Sequence, residues 1–358
     1  MNLKIKWLRD KLKSLNLQGM IISNPINIRY LTNIDAEGTL IITRKENIYI
    51  TDSRYIEMAN SVLTIEDDII VCDIRDLSSY DYENFFLFCE NVGFEENYAT
   101  YAQYKEYMHK YKINNLVETE NIIEKQRSIK ELDEISMIKK ACEITDNCFT
   151  HLVEFIKKGM TEKQIELEIE RFFKLNGADG TAFSTVVASG PNSSMPHAYP
   201  SDRQLYSGDV LTIDMGCKYK GYSSDMTRTI FIDYIPEGAK NLYDLILKNQ
   251  RMILNELKEG INTKNISKMV ESDFKLHGHI IIHALGHNIG LETHELPYMS
   301  VKSDNFLKEN MIMTIEPGIY IPSKFGIRIE DTVLITKNGC ITLTNSDKNY
   351  IILKSNNK

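Results

Sequence analysis

Residues 210–231 read VLTIDMGCKYKGYSSDMTRTIF, and this stretch carries two aspartates on which the interpretation of the whole chain depends. Apolar and polar residues alternate on either side of the short segment KYKG, which predicts two half-buried strands joined by a turn. A turn centred on Tyr219 and Lys220 places Asp214 directly opposite Asp225, with Cβ atoms about 4.5–5.5 Å apart. Two ionised carboxylates at that distance repel each other, so the pair predicts either a shared proton or a shared metal ion.

Bulk composition is that of an ordinary globular protein. The chain has 358 residues, of which 42% are apolar and 26% are charged, and this length predicts two domains or one large one. Its net charge of −8 comes without a stripe dense in lysine or arginine, which argues against a nucleic-acid partner. No run approaches the roughly 18 apolar residues that span a bilayer, and the amphipathic N-terminus lacks the pattern of a signal peptide. We therefore expect neither nucleic acid nor membrane as a partner.

The cysteines indicate a reducing compartment. Six are dispersed along the chain without a CxxC pair, namely Cys72, Cys89, Cys142, Cys148, Cys217 and Cys340. In a chain of this size such residues are more often reduced and buried than joined in disulfides. We expect a cytoplasmic protein with free thiols.

The order of the predicted elements separates two parts of the chain. Residues 1–122 alternate helices and strands, which is typical of an α/β domain with a mixed or parallel sheet. Its helices are predicted near residues 3–15 and 81–89, and its strands near 19–22, 40–43, 48–51 and 69–72. The second part is predicted to begin with a long helix over 130–155, then a helix that starts at the capping box of Thr161 and Gln164, helices near 240–257 and 265–276, and a closing hairpin over 332–344.

Three further segments of the second part carry acids and histidines. They read HALGHNIGLETHE at 283–295, TIEPG at 314–318 and IRIED at 327–331. The glycines of the first segment argue against a helix there, since glycine costs about 1 kcal/mol relative to alanine in a helix interior. Taken singly, each residue has a structural explanation: a hydrogen-bonded histidine, a surface acid before a turn, or an acid paired with Arg328 or Lys324. Together they supply the several carboxylates and the imidazole that a two-metal site requires.

The order of these residues resembles that of the pita-bread metallopeptidases of family M24: Asp214, Asp225, His287, Glu316 and Glu330. Within that family the chain is most similar to the proline-specific aminopeptidases and dipeptidases. The segments RSIKELDEI at 127–135 and VASGPNS at 187–193 add to the resemblance, and residues 1–122 resemble the creatinase-type N-terminal domain. The resemblance implies an α+β pita-bread catalytic domain over 123–358, preceded by a creatinase-like α/β domain over 1–122.

The resemblance also implies a role for each site residue. The metal ligands would be Asp214, Asp225, His287, Glu316 and Glu330. The catalytic residues would be His197, His294 and Glu316, with Glu316 accepting a proton and the two histidines steadying the scissile carbonyl. The substrate-binding residues would be His197, His283, His294 and Arg328. An oxygen-rich ligand set with one imidazole suits two divalent ions, Mn²⁺ first and Co²⁺, Zn²⁺ or Fe²⁺ as alternatives.

Two departures from the family pattern bear on the substrate. The family's motif His-Gly-Thr-Gly-His-Gly is replaced by HALGHN at 283–288. The last position is Asn288, and asparagine is the non-glycine residue type that best tolerates a left-handed backbone. The dipeptidases often carry an arginine shortly after the His-Glu motif (His294 and Glu295 here), where this chain has Tyr298. Without that bidentate cation, we predict an Xaa-Pro aminopeptidase that releases the N-terminal residue of small peptides with proline at the second position.

Two alternatives stay open beside the aminopeptidase. The first is an Xaa-Pro dipeptidase, because Arg328 lies within the motif and could replace the missing arginine. The second is a non-catalytic pita-bread binding module, which the complete set of ligand positions disfavours. The resemblance further implies a homodimer.

Overall fold

The computed structural model describes residues 2–75, 86 and 89–355, and the chain forms two compact units. The first unit is Met1–Arg127 and the second is Ser128–Lys358. The short helix Ile122–Arg127 thus belongs to the first unit, whereas the predicted boundary after residue 122 falls within it and assigns residues 123–127 to the second part. All six cysteines are free, as predicted. Among the described residues, no helix is both long and apolar enough to cross a membrane.

The first unit is built on a six-stranded mixed sheet, which confirms the predicted sheet type. Its strands are β1 Gly19–Ile22, β2 Thr39–Thr43, β3 Asn47–Thr51, β4 Ile69–Asp73, β5 Val92–Phe94 and β6 Leu116–Glu118. Their order is β4-β3-β2-β1-β5-β6, with β2 antiparallel to both neighbours and the other pairs parallel. The helices are α1 Leu3–Ser14, α2 Pro25–Thr32, α3 Ile56–Val62, α4 Tyr101–Lys110 and α5 Ile122–Arg127. The helix predicted near 81–89 lies outside the described residues.

The second unit begins with the predicted long helix and alternates helix pairs with sheets. Its helices are α6 Leu132–Phe155, α7 Glu162–Leu175, α8 Ala239–Glu256 and α9 Thr263–Leu276. The capping box predicted at Thr161 and Gln164 is formed at the start of α7. Its strands are β7 Gly180–Thr181, β8 Val186–Ser189, β9 Val210–Met215, β10 Cys217–Tyr219, β11 Tyr222–Ser223, β12 Met226–Ile232, β13 Gly286–Asn288, β14 Glu295–Met299, β15 Ile312–Ile315, β16 Gly318–Ile321, β17 Phe325–Arg328, β18 Asp331–Ile335, β19 Cys340–Thr342 and β20 Ile352–Leu353.

Two sheets of the second unit are each covered by a pair of helices. The four-stranded sheet β20-β12-β9-β8 shares a buried core with α6 and α7, in which Ile144 and Ile165 meet Ile213. The five-stranded sheet β14-β13-β15-β18-β19 shares a second core with α8 and α9, to which Ile246 and Val333 belong. The predicted C-terminal hairpin is formed by β18 and β19. Burial of apolar side chains at the helix-covered faces holds each layer in place.

The turn of the hairpin that carries the two aspartates lies one residue later in the sequence than predicted. The turn is centred on Lys220 and Gly221, both with positive φ (49° and 83°), because a type I′ hairpin turn needs that backbone at both central residues. Asp214 therefore lies opposite Thr227 and not opposite Asp225. The partner moves by two residues, and residues two apart point to the same face of a strand. The two aspartates consequently stay on one face as diagonal neighbours.

Gly216 allows the two strands of this hairpin to approach where β9 passes into β10. A Cβ atom at this position would lie 1.9 Å from the carbonyl oxygen of Ser224, which is far inside van der Waals contact. Any residue other than glycine would therefore push apart the two strand ends that hold Asp214 and Asp225.

Candidate metal centre

All nine site residues named from the sequence line one cavity of about 400 Å³ in the second unit. Four acids, four histidines and one arginine come from strands, from the bends beside them and from the loop before β9: His197, Asp214, Asp225, His283, His287, His294, Glu316, Arg328 and Glu330. The first and last of these residues are more than a hundred residues apart in the sequence, so the fold and not sequence proximity brings them to one cavity.

Glu316 and Glu330 reach the cavity from two different strand ends. Glu316 follows β15 directly, as predicted. The segment 327–331 is not one alternating strand: β17 ends at Arg328, β18 begins at Asp331, and Glu330 lies in the bend between them. The amide of Glu330 donates to the carbonyl of Thr227 at 3.1 Å, which ties this bend to β12 beside Asp225.

His287 occupies the middle of β13, so its segment is a strand and not a helix. Its neighbour Gly286 passes so close to β15 that a Cβ atom there would lie 1.9 Å from the carbonyl oxygen of Thr314. The Nδ1 atom of His287 is 3.1 Å from the carbonyl oxygen of Asn288, which favours a proton on Nδ1. The Nε2 atom, with its lone pair, then faces the acids, in the arrangement that metal-binding histidines adopt.

The Nε2 atom of His287 lies 3.7 Å from Asp225 Oδ2 and 3.6 Å from Glu316 Oε1. These separations are too long for hydrogen bonds and leave space for an ion among the three atoms. One ligand atom each from Asp225, His287 and Glu330 can be chosen so that all lie within 4.8 Å of one another. This trio is the centre of the candidate site.

Burial makes the acids of this cluster poor anions in the absence of a cation. Burial first, and then the negative charges of the neighbouring acids, raises the pKa of Asp225 and of Glu316 well above their ordinary values. The same two causes raise the pKa of Glu330 to about 8. Burial lowers the pKa of His287 to about 3, so its imidazole is neutral at physiological pH. Such a cluster is stable only with shared protons or with bound cations.

The donor set fits divalent metal ions. Asp214 Oδ1 and Asp225 Oδ1 are buried and lack a hydrogen-bond partner within the described structure. Buried carboxylate oxygens are rarely left without a partner, so a missing ligand is the simplest explanation. Carboxylate oxygens with one neutral imidazole are the donors that Mn²⁺ and related ions take in proteins. Metal therefore fits this site better than a shared proton, which would leave both orphaned oxygens unexplained.

Arg328 is the one buried cation that contacts these acids directly among the described residues. Its Nη2 donates to Asp214 Oδ2 at 2.7 Å, and its Nε donates to the hydroxyl of Thr227 at 3.0 Å. That hydroxyl donates in turn to Glu330 Oε2 at 2.7 Å. Arg328 thus reaches Glu330 only through Thr227. The direct ion pair between Arg328 and Glu330 that was considered from the sequence is not formed, and Arg328 pairs with Asp214 instead.

Three histidines border the cavity outside the acid cluster. His197 and His294 are exposed to solvent, and the ring of His294 meets that of His287 edge-on with centroids 4.4 Å apart. His283 is held from both sides, by the carbonyl of Ala284 at 2.6 Å from Nδ1 and by the hydroxyl of Tyr320 at 3.0 Å from Nε2. The exposed pair is free to meet a substrate, whereas His283 is fixed in the wall.

Two residues that the sequence did not single out support the cavity. Thr227 links Arg328 to Glu330, and Tyr320 accepts a hydrogen bond from Arg328 Nη1 at 2.7 Å while contacting His283. Thr227 lies two residues after Asp225, so the strand period places both on one face and was a usable signal. Tyr320 on β16 had no such signal, because its position depends on how β16 and β17 pair.

Asn288 does not use the left-handed backbone that was considered for it. It is a strand residue of β13, with a bulge between it and His287. Its side chain accepts a hydrogen bond from the buried Lys130 and donates to the carbonyl of Ser128 at 3.0 Å. Lys130 also pairs with Glu295 at 3.0 Å. The amide that replaces the family's glycine is therefore part of a buried polar network.

Comparison with known proteins follows the same division of the chain. The model of metallopeptidase family M24 matches residues 136–337, and that of the creatinase/prolidase N-terminal domain matches residues 4–129. An Xaa-Pro dipeptidase of Pyrococcus horikoshii is 34% identical, with 98% of this chain and 99% of the relative covered. The structure is similar to that of an Xaa-Pro dipeptidase from Bacillus anthracis (TM-score 0.91, 34% identity, 98% and 99% covered). An X-Pro aminopeptidase of Thermotoga maritima is also similar (TM-score 0.88, 29% identity, 97% and 99% covered). The predicted fold, a creatinase-like domain before an α+β pita-bread domain, is confirmed.

Proposed function

We propose that this chain, which belongs to metallopeptidase family M24, is an Xaa-Pro dipeptidase that uses two divalent metal ions. The observation that carries the proposal is the meeting of four acids, four histidines and one arginine around a single cavity. Full-length similarity to a relative and to a solved structure that both bear this name supports the choice of reaction. Its substrates would be small peptides in which proline follows the first residue.

The dipeptidase alternative is now better supported than the aminopeptidase that the sequence favoured. The aminopeptidase prediction relied on Tyr298 standing where dipeptidases often carry an arginine. Arg328 lines the same cavity as Tyr298, so a fixed guanidinium is present near the substrate after all. Four of the five N–H groups of Arg328 already donate within the protein. The guanidinium would therefore attract the free carboxylate of a dipeptide through its positive charge and its one remaining Nη2 N–H.

The proposed metal ligands are Asp214, Asp225, His287, Glu316 and Glu330, and we propose Mn²⁺ as the ion. When bound, two divalent ions supply electrophilic polarisation of the scissile carbonyl and a water acidified to neutral pH. The homodimer stays a prediction.

The residues of the chain itself would orient the peptide and move the proton. Glu316 lines the cavity with a partly exposed carboxylate, which can take a proton from a group in the cavity and pass it on. His294 and His197 are exposed at the same cavity and can donate hydrogen bonds to a carbonyl oxygen that gains charge. The X–Pro amide has no N–H, so recognition must come from such groups and from the cavity wall.

Replacing His294 with alanine is expected to lower kcat by about 10²–10³-fold while leaving metal content unchanged, because the side chain is exposed at the cavity and acts on the carbonyl. Metal content by elemental analysis and steady-state kinetics on one dipeptide separate the two effects. A parallel loss of metal and activity would instead make His294 a ligand. His109→Ala, at a histidine in the last turn of α4, is the matched control and should change neither quantity.

A direct assay tests the proposed function. Purified protein is stripped with a chelator, reloaded with Mn²⁺, and given an Xaa-Pro dipeptide, the matching Xaa-Pro tripeptide and the same dipeptide with alanine in place of proline. We expect kcat/KM to be highest for the Xaa-Pro dipeptide and activity to vanish after chelation. Dominant cleavage of the tripeptide would restore the aminopeptidase, and a protein that neither binds a divalent ion nor cleaves any of the three would point to a binding module.

A further inference from the structure

Glu162, the first residue of α7, is a fully buried acid outside the candidate metal centre. Its carboxylate accepts six hydrogen bonds from the last residue of β8 and from two residues of the loop that joins β8 to β9. Oε1 accepts from the amide and the hydroxyl of Ser189, both at 2.7 Å. Oε2 accepts from the amide of Ser201 at 3.0 Å and from its hydroxyl at 2.6 Å. Asn192 Nδ2 bridges the two oxygens at 3.1 Å from each.

These contacts close a loop over residues 189–201, with one carboxylate oxygen fixing each end. Closing a loop costs conformational entropy, and a buried, fully paired acid can compensate that cost. The backbone amide of Glu162 adds a further tie, since it donates to the carbonyl of Arg203 at 3.2 Å. The ends of the loop are therefore joined by an element that itself lies outside the cavity.

The closed loop carries groups that face the candidate active site. His197 lies in the loop and lines the cavity, and the preceding carbonyl of Pro196 accepts a hydrogen bond from Arg328 Nη1 at 3.3 Å. A second contact comes from Ser193, whose hydroxyl accepts from the amide of Gly326 at 3.0 Å next to Arg328. The position of both the histidine and the arginine thus depends on the shape of this loop.

We propose that Glu162 is a positioning residue, which holds the 189–201 loop closed so that His197 and the Pro196 carbonyl meet the substrate and Arg328. This inference rests on the proposed function for its catalytic consequence, but the closure of the loop stands on geometry alone. Glu162 does not touch the substrate cavity or the proposed metal ligands.

An acid in the first turn of a helix also has a general stabilising effect, through the helix dipole. Thr161→Ala provides the control for that effect, because it removes the capping hydroxyl of the same helix and leaves every contact of the Glu162 carboxylate in place. A role limited to helix stability would make the two positions behave alike.

Glu162→Gln is the informative substitution because it keeps the volume and removes the charge. Each carboxylate oxygen accepts from a backbone amide, Ser189 on one side and Ser201 on the other. Whichever way the glutamine amide is turned, its NH₂ group faces one of these N–H donors, and a backbone donor cannot be reversed. One of the two backbone hydrogen bonds that tie residue 162 to the ends of the loop must therefore be lost. Ser201→Ala, which removes a single hydroxyl, is a milder second variant.

Hydrogen exchange on metal-loaded protein tests the loop without any substrate. Peptides that cover 189–203 should exchange at least about tenfold faster in Glu162→Gln than in the wild type, and unchanged in Thr161→Ala. Elemental analysis should show equal metal content in all three. Unchanged exchange of this loop in both Glu162→Gln and Ser201→Ala would overturn the proposal, whether or not the protein proves to be a dipeptidase.

A double-mutant cycle tests the catalytic consequence. Glu162→Gln is expected to lower kcat/KM on an Xaa-Pro dipeptide by about 10–100-fold, the cost of a misplaced group. In a His197→Ala background the same substitution should cost several-fold less, since the group it positions is already gone. Equal losses in the two backgrounds would show that Glu162 does not act through His197. If the wild type cleaves no Xaa-Pro peptide, the proposed function fails and the exchange experiment alone decides on the loop.

Discussion

Asp225→Asn is expected to lower kcat/KM for an Xaa-Pro dipeptide by at least about 10³-fold, because a buried negative charge is lost from the proposed metal ligands. Asp225 contributes to the compact trio with His287 and Glu330, and its Oδ1 atom has no hydrogen-bond partner in the described structure. An amide can offer only one oxygen and no negative charge. Steady-state kinetics together with elemental analysis should show loss of activity with loss of metal, and Glu330→Gln should behave in the same way.

The same substitution is expected to stabilise the metal-free protein. The folded state raises the pKa of Asp225 above its ordinary value of 3.8, chiefly through burial and then through neighbouring acids. A raised pKa means that this carboxyl destabilises the apoprotein once the pH exceeds about 4, and the penalty grows as the pH rises. Asparagine carries no such penalty. After chelation, the melting temperature of Asp225→Asn should exceed that of the wild type, by more at pH 8 than at pH 5.

Asp304→Asn is the matched control, since Asp304 lies on the surface of the same unit, where it accepts a hydrogen bond from Asn262 Nδ2 at 2.6 Å and lies 3.5 Å from Lys264 Nζ. It should retain activity, metal content and melting temperature. Wild-type kinetics in Asp225→Asn, or a metal-free variant less stable than the metal-free wild type, would contradict an acid cluster built to hold cations.

Local patterns were sufficient to predict most of the elements. The capping box of Thr161 and Gln164 starts α7 where expected, and the alternation around Asp214 and Asp225 marks two paired strands. Such signals depend on neighbours in the sequence, so they can be seen without the fold. The hairpin register was wrong because the positive-φ requirement of the turn, met at Lys220 and Gly221, was not applied. Its error of two residues preserved the face and therefore the site.

The candidate site was predicted through its acids and histidines, and its supporting residues were not. Ligand types in a specific order point to metal chemistry whatever the fold. Tyr320 and Glu162 have no such chemical signature, since a tyrosine on a short strand and a glutamate at a helix start are common. Their importance arises from what the tertiary fold places against them, namely Arg328 for one and the 189–201 loop for the other. The dipeptidase was placed second to the aminopeptidase for the same reason, because only the fold shows that Arg328 faces the cavity.

Arg328→Lys is expected to lower kcat/KM for an Xaa-Pro dipeptide by about 10²-fold although the charge is kept. The guanidinium donates to groups that lie in different directions, with Asp214 on one nitrogen, Tyr320 on another and Thr227 on the third. A lysine ammonium is a single point with three donors and cannot span them. Kinetics on the dipeptide and on the matching tripeptide should show the larger loss for the dipeptide, if the guanidinium also attracts the free carboxylate of proline.

Arg328→Met is expected to lower the unfolding free energy by about 3–5 kcal/mol as well, the usual cost of leaving one member of a buried ion pair alone. Both members are well shielded, with side-chain exposures of 4% for Arg328 and 15% for Asp214. Thermal and denaturant unfolding measure this loss. Arg54→Met is the control, because Arg54 pairs with Asp52 at the surface and the Arg54 side chain is 70% exposed. This substitution should leave the unfolding midpoint nearly unchanged. If Arg328→Met were equally harmless, the guanidinium would not be what holds Asp214 at the cavity, and its place in substrate recognition would lose its structural basis.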